Sequence, residues 1–338
     1  IVDVGDVANL IYVANAVGTN GGTNDITTGS GDDNLYLVGG NNTIDAGEGA
    51  NLIGLGGGDD DVTAGSGDDF VYSIGGGGGT DTYALGEGNN TVWVEGGDVT
   101  VTAGDGTNAI GLADGTNDVT LGNGNNIVYN VNDAAGTHTI DMGDGDNVVW
   151  MTAGSSDVTV GDGNNILGLG AGDDIVNAGN GNNQISLIDP DTITDADPNG
   201  NDIITTGSGD DEIFLGNGNN TIDAGDGDNI ISVRGGTNDI LTGTGNDQIF
   251  GGIGDDLINP GTGNNTVFGD AGVDTFVLAD GVGITTVLDF DLSTDKLSGF
   301  AFADVTLTQG TGAESDNTFV ENATTNDIMA KLLFVTAT

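Results

Sequence analysis

Cysteine is absent from this chain, which excludes disulfides, thiolate zinc sites and a cysteine nucleophile. Basic side chains are nearly absent as well. Arg234, Lys296 and Lys331 stand against 53 acidic residues, for a formal net charge of −50. No patch of this chain can neutralise a run of phosphates, so nucleic-acid binding is excluded. No apolar run is long enough to span a bilayer as a helix. His138 is the single histidine, so the helix with paired histidines of a zinc hydrolase is missing. No strand–serine–helix elbow appears, and carboxylate pairs are too abundant for any one to stand out as an acid–base couple. The chain is therefore read as non-enzymatic. Only 36% of residues are hydrophobic, too few for a thick globular core. The start at Ile1, without methionine or a leader-like segment, reads as a processed or partial product.

What the chain has instead is glycine, 65 residues of it, set in a register. Gly143-Asp144-Gly145, Gly161-Asp162-Gly163 and Gly179-Asn180-Gly181 recur every 18 residues, with a looser copy of the turn midway. The same unit runs from about Gly5 to Val277 and predicts about 14 coils, each of two nine-residue halves. When each half is numbered so that its apolar residue is eighth, 28 positions from Ile11 to Phe276 are all apolar, mostly β-branched or leucine. The residue two further on is often apolar too (Leu37, Leu55, Val94, Leu112), as period-2 alternation requires. This pattern predicts an all-β chain of short strands with inward apolar side chains. The glycines supply the positive φ that tight repeated turns need.

Extra residues at Ala14–Thr19, Gly75–Gly79, Asn132–Ala135 and Asp189–Asn199 place an insert at every third coil. Beyond Leu278 the repeat fades, dividing the chain into a repetitive part, 1–277, and a C-terminal part, 278–338.

The nonapeptide resembles the G-G-x-G-x-D-x-U-x unit of the RTX family of secreted calcium-binding proteins. The resemblance implies a right-handed parallel β-roll with calcium held between the turns of successive coils. Thr285-Thr286-Val287-Leu288-Asp289-Phe290 and Asp295-Lys296-Leu297-Ser298-Gly299-Phe300 look like the family's capping segment. Asn326 to Val335 is similar to its uncleaved signal for type I secretion.

In the family the sixth residue of the unit is Asp and supplies a calcium oxygen. Here that position is Asp in 10 of 28 halves, Asn in 15 and another residue (Val99, His138, Ser156) in 3. The resemblance thus assigns calcium ligands to Asp33, Asp60, Asp69, Asp81, Asp174, Asp202, Asp211, Asp247, Asp256 and Asp274. Sites should be best where adjacent coils both supply Asp: Asp60 with Asp81, Asp174 with Asp202, and Asp256 with Asp274. The Asn run at 90, 108, 126, 147, 165 and 183 reads either as weaker calcium sites or as a metal-free hydrogen-bonded ladder. Asp189, Asp191, Asp195 and Asp197, in the longest insert, form a second set of candidate ligands, against a solvated acidic loop as the plain alternative. His138 reads as a substituted turn residue rather than a ligand.

One outward row carries Tyr36, Tyr72, Trp93, Tyr129, Trp150, Phe214, Phe250 and Phe268, broken by glycine at every third coil. It reads as a stripe for packing against another protein, with mutual stacking beneath the inserts or sugar binding as alternatives. The opposite row alternates threonine with carboxylates, which suits a solvated face better than an ice-binding plane. The expectation is an exported, calcium-stabilised structural protein of the cell surface, such as an S-layer, sheath or filament subunit. Its partners would be identical chains or a surface polysaccharide. The alternatives are the C-terminal region of a larger secreted protease, lipase or adhesin, and an ice- or carbohydrate-binding rod.

Overall fold

The computed structural model describes residues 1–13, 22–73, 78–131, 136–187 and 200–335. Two compact units, 1–170 and 171–338, divide the chain, and each is built of parallel β-solenoid coils. The insert positions 14–19, 75–77, 132–135 and 189–199, with Asp189, Asp191, Asp195 and Asp197, lie outside the described residues.

Within 1–170 two faces of short parallel strands alternate along the chain. One face contains Asn24–Thr27, Asn42–Asp45, Asp61–Thr63, Thr80–Leu85, Asp98–Ala103, Thr116–Leu121 and Gly136–Met142. The other contains Leu10–Val13, Asn34–Gly39, Leu52–Gly57, Phe70–Ser73, Thr91–Trp93, Ala109–Leu112 and Ile127–Asn130. The strand Val148–Val160 serves both, pairing through Val148–Trp150 with the second face and through Gly154–Val160 with the first. The register stays in phase across the inserts. Val101 lies opposite Val119 eighteen residues on, and Val119 opposite Ile140 after twenty-one.

The period-2 pattern explains the core. Eighth-position side chains such as Ile53, Val92, Val128 and Val158 are fully buried, and Leu37, Leu55, Leu112 and Met151 lie beside them. On the first face the second inward place is a single side chain per coil, Ala46, Ala64 and Ala103 in some coils and Leu85, Leu121, Met142 and Val160 in others, so, the sixth position aside, each pass gives the core only two side chains. The coil is therefore thin, and each core residue packs chiefly on its equivalents one coil away. Turn glycines make that stacking possible: Gly163 has φ +145°, and a Cβ there would collide with the carbonyl of Gly145 one coil below.

Within 171–338 two faces of parallel strands again alternate, one beginning with Ile175–Ala178 and the other with Gln184–Leu187. The parallel ladders run past Val277, because Thr285–Val287 pairs with Thr266–Phe268 and Lys296–Ser298 with Thr275–Val277. The chain then turns back. Ile328–Leu332 lies parallel to Thr285–Val287 and antiparallel to Thr318–Asn322, which pairs antiparallel with Val305–Gln309. Met329, Ala330 and Leu332 of the tail are buried in this small antiparallel region. Trimming a fully buried stack residue should be costly. Ile213→Ala is expected to lower stability by about 2–5 kcal/mol, measured by chemical denaturation in saturating calcium.

Candidate metal centre

The sixth-position side chains turn into the coil rather than out to solvent. All ten aspartates, from Asp33 to Asp274, are 5% exposed or less. They form part of two inner ladders, one at each corner of the coil. In the Asn and Asp rungs a side-chain oxygen accepts the backbone N–H of the equivalent residue one coil earlier. Asn90 N–H donates to Asn108 Oδ1 at 3.0 Å, Asn108 to Asn126 at 3.0 Å and Asn147 to Asn165 at 3.1 Å. The paired aspartates expected from the sequence are indeed adjacent rungs. Asp60 N–H donates to Asp81 Oδ1 at 2.9 Å, Asp174 to Asp202 at 3.1 Å and Asp256 to Asp274 at 3.0 Å.

An outer series runs the opposite way. There the exposed side chain just before the ladder residue accepts an N–H from the following coil, as Asp68 Oδ1 does from Asn89 at 2.7 Å. Asp146 does the same from Asn164, and Asp228 from Asn246. Turn N–H groups that a tight glycine turn would leave bare are thus satisfied by side-chain oxygens of neighbouring coils.

Asn and Asp differ at their second atom. In most Asn rungs the Nδ2 closes its own turn: Asn147 donates to the carbonyls of Gly143 and Gly145, both at 3.0 Å. Asn126 does so to Gly122 and Gly124 at 3.0 and 3.1 Å, and Asn165 to Gly161 and Gly163 at 3.2 and 3.1 Å. Aspartate has the same shape but puts an oxygen where the amide nitrogen would stand. The Oδ2 atoms of Asp33, Asp60, Asp69, Asp256 and Asp274 are buried with no hydrogen-bond donor. At Asp256 this oxygen lies against its own turn, 2.7 Å from where a Cβ on Gly251 would be, so only glycine leaves that space. Two aspartates are served differently: Tyr83 donates its hydroxyl to Asp81 Oδ2 at 3.1 Å, and Thr242 to Asp247 Oδ2 at 2.8 Å.

Burial pushes the carboxyls of Asp60, Asp69 and Asp202 up to about 6, partly offset by the N–H groups they accept. Burial also raises Asp256 to about 7 and Asp274 to about 6, with neighbouring carboxylates adding to both. Asp81, Asp211 and Asp247 are raised by burial as well. A buried oxygen without a donor, at the place where the equivalent asparagines bond their turn carbonyls, fits a hard cation: calcium takes oxygen ligands, and the ion supplies the charge that is missing. Among the described residues no three acidic or histidine side chains converge. A cation at these corners would therefore be held by one or two carboxylates plus backbone carbonyls.

Two ladder-related residues escaped the sequence reading. Asp295 Oδ1 accepts the Asp274 N–H at 3.1 Å, and Asp289 accepts from Gly269 and Asp270 at 3.0 and 2.7 Å. They extend the corners into the C-terminal region, where no glycine repeat announces them. His138 occupies a rung, fully buried, with Nδ1 3.2 Å from Asn117 Nδ2, and burial lowers its pKa.

The aromatic row is in register. Within 1–170, Tyr36, Gly54, Tyr72, Trp93, Gly111, Tyr129 and Trp150 occupy successive rungs. The glycines are sockets for rings. Trp93 and Tyr129 meet edge to face at 6.3 Å across Gly111, and a Cβ on Gly168 would lie 2.6 Å from the Trp150 ring. Trp93 and Trp150 remain 40% and 41% exposed despite this mutual packing. Within 171–338, Phe214 shares the row, and Phe250 stacks on Phe268 at 4.9 Å.

Coils of about 18 residues, two parallel faces and carboxylates set at glycine turns define the class: a repetitive β-solenoid with corners suited to hard cations. The RTX calcium-binding nonapeptide repeat matches residues 19–53, 38–71, 75–110, 152–185, 199–231, 234–267 and 261–283, more than half of the chain. The chain belongs to this family, whose repeats typically bind calcium and are typical of secreted proteins. No curated protein gives a significant match.

Proposed function

We propose that this chain is an exported, non-enzymatic structural protein whose β-roll is stabilised by calcium and which associates laterally with identical chains as an S-layer, sheath or filament subunit. The observation that carries the calcium reading is the set of buried carboxylate oxygens with no internal donor. Metal-free, those carboxylates add desolvation cost to the repulsion of a chain with net charge −50; calcium binding offsets both and couples ion binding to folding. The calcium-poor cytoplasm keeps the chain extended for export, and the calcium-rich exterior folds it. The resemblance of residues 326–335 to a type I secretion signal supports that route.

Association is assigned to the aromatic row, whose tryptophans keep two-fifths of their surface open although rings and glycines pack around them. A calcium titration followed by circular dichroism and light scattering together tests both halves. Folding should precede a rise in scattering. Trp93→Ser with Trp150→Ser should remove the rise while leaving the dichroism intact; unchanged scattering would remove the adhesive reading. Binding of a surface polysaccharide by the same row is the competing outcome, read by scattering that rises only when the polysaccharide is added. The second reading, the C-terminal region of a larger secreted protease, lipase or adhesin, draws on the family resemblance of residues 285–300. A native mass well above 33.5 kDa would favour it.

A further inference from the structure

We infer that the inner ladders divide the chain by metal dependence: residues 86–170 carry no ladder carboxylate, close six of their nine ladder positions with side-chain amides and fold without a cation, whereas the carboxylate-bearing coils before and after them in the chain require one. This rests on the calcium reading above and sharpens it to particular coils.

Asn and Asp are isosteres that place the same atoms in the same rung. Oδ1 does the same work in both, accepting an N–H from the coil before. The second atom decides the rest. In Asn90, Asn108, Asn126, Asn147 and Asn165 the amide donates to both glycine carbonyls of its own turn, at 3.0 to 3.5 Å. The N–H pair thus stands where a cation would otherwise bridge side chain and turn, and the rung is complete. In Asp60, Asp69, Asp256 and Asp274 the equivalent oxygen is buried with no donor, and the rung needs a cation or a proton.

The two kinds of rung are not mixed evenly. Between Gly86 and Gly170 the nine ladder positions, from Asn90 to Asn165, comprise six asparagines plus Val99, His138 and Ser156. None is a carboxylate, and the one buried atom without a partner at the His138 rung, Nε2, is a ring nitrogen rather than a carboxylate oxygen. Val99 abolishes the polar group, and its N–H still donates to Asn117 Oδ1 at 3.1 Å. Before this block the ladders carry Asp33, Asp60, Asp69 and Asp81, and after it they carry six more aspartates. In a solenoid, stability is close to a sum over coils and their nearest neighbours, so a run of self-sufficient coils can stay folded while flanking coils open.

Hydrogen–deuterium exchange of the full chain at pH 7.5, in chelator and in calcium, tests this. The strands Asp98–Ala103, Thr116–Leu121 and Ile127–Asn130 should be protected under both conditions. Asn34–Gly39, Asp61–Thr63 and Glu212–Asn217 should be protected only in calcium. In chelator the block should exchange at least about tenfold more slowly than its flanks, equivalent to ~1.4 kcal/mol of extra local stability. Loss of protection throughout the chain in chelator would overturn the inference while leaving the calcium reading intact. Protection throughout would overturn both. Asn108→Asp with Asn126→Asp supplies the converse: the block should become chelator-sensitive and recover in calcium. A block that stays protected in chelator would refute the role given to the amides.

Discussion

Replacing Asp60, Asp69, Asp256 and Asp274 by asparagine should stabilise the metal-free protein, although it removes four candidate calcium ligands. Each substitution keeps Oδ1, which accepts the N–H of the preceding coil, as Asp60 does from Asn42 and Asp256 from Asn238. Each also replaces a buried oxygen that has no donor by an N–H pair of the kind that already closes neighbouring turns. Leaving a buried polar group unsatisfied costs about 1–3 kcal/mol. The expected gain in chelator is of that size per site, read as a higher denaturation midpoint at unchanged slope. In saturating calcium the sign reverses, because ion binding adds stability only where the site survives. A variant less stable than the parent in chelator would show that these carboxylates are satisfied without a cation.

The second large effect is a dependence on pH opposite to ordinary acid unfolding. Asp60, Asp69, Asp202 and Asp274 are raised to about 6 and Asp256 to about 7, above the ordinary carboxyl value of 3.8. Between those limits the folded chain holds more protons than the unfolded one, so metal-free stability falls as pH rises from about 4 to about 7. Well below 3.8 no further gain accrues from these groups, and well above 7 the loss is complete. A carboxyl whose pKa is raised by one gives up about 1.4 kcal/mol of stability across that window. The exposed carboxylates of Glu48 and Asp226, lowered by the hydrogen bonds they accept from Ser66 and Thr244, run the other way. In chelator, circular dichroism should therefore show β structure gained on moving from pH 7.5 to 5. The benefit of calcium should shrink over the same window as protons compete for the same oxygens. The fourfold asparagine variant should lose most of this dependence, which separates it from the general relief of self-repulsion on acidification.

Much of the fold was legible because its determinants are local and repeated. An apolar eighth residue every nine positions, with glycine turns between, leaves no arrangement for the strands but stacked coils, and Ile53, Val92 and Val158 lie where that pattern puts them. The adjacency of Asp60 with Asp81 and Asp256 with Asp274 followed from counting residues, since one coil is one rung. What the sequence could not express was the direction of the sixth side chain. Its inward turn, and the opposite running of the inner and outer ladders, depend on which backbone N–H groups the stacked turns leave bare. The parts played by Tyr83 and Thr242 were hidden for the same reason: each serves an aspartate only because the coil folds their hydroxyls onto it. Asp289 and Asp295 lie beyond the repeat, so no period pointed to them as extensions of the corners. The glycines of the aromatic row read as interruptions in the sequence, whereas in the structure Gly111 and Gly168 are the spaces into which rings lie.

Beneath both effects lies one condition: a cation completes the corners where carboxylates stand and is not needed where amides do. Crystals grown in calcium and measured at long wavelength would locate the ions by their anomalous signal. The expected peaks lie within about 2.3–2.6 Å of the Oδ2 atoms of Asp60, Asp69 and Asp256, with none at the corners held by Asn108, Asn126 and Asn147. Peaks at those asparagine corners, or only at exposed carboxylates such as Asp68 and Asp146, would contradict it.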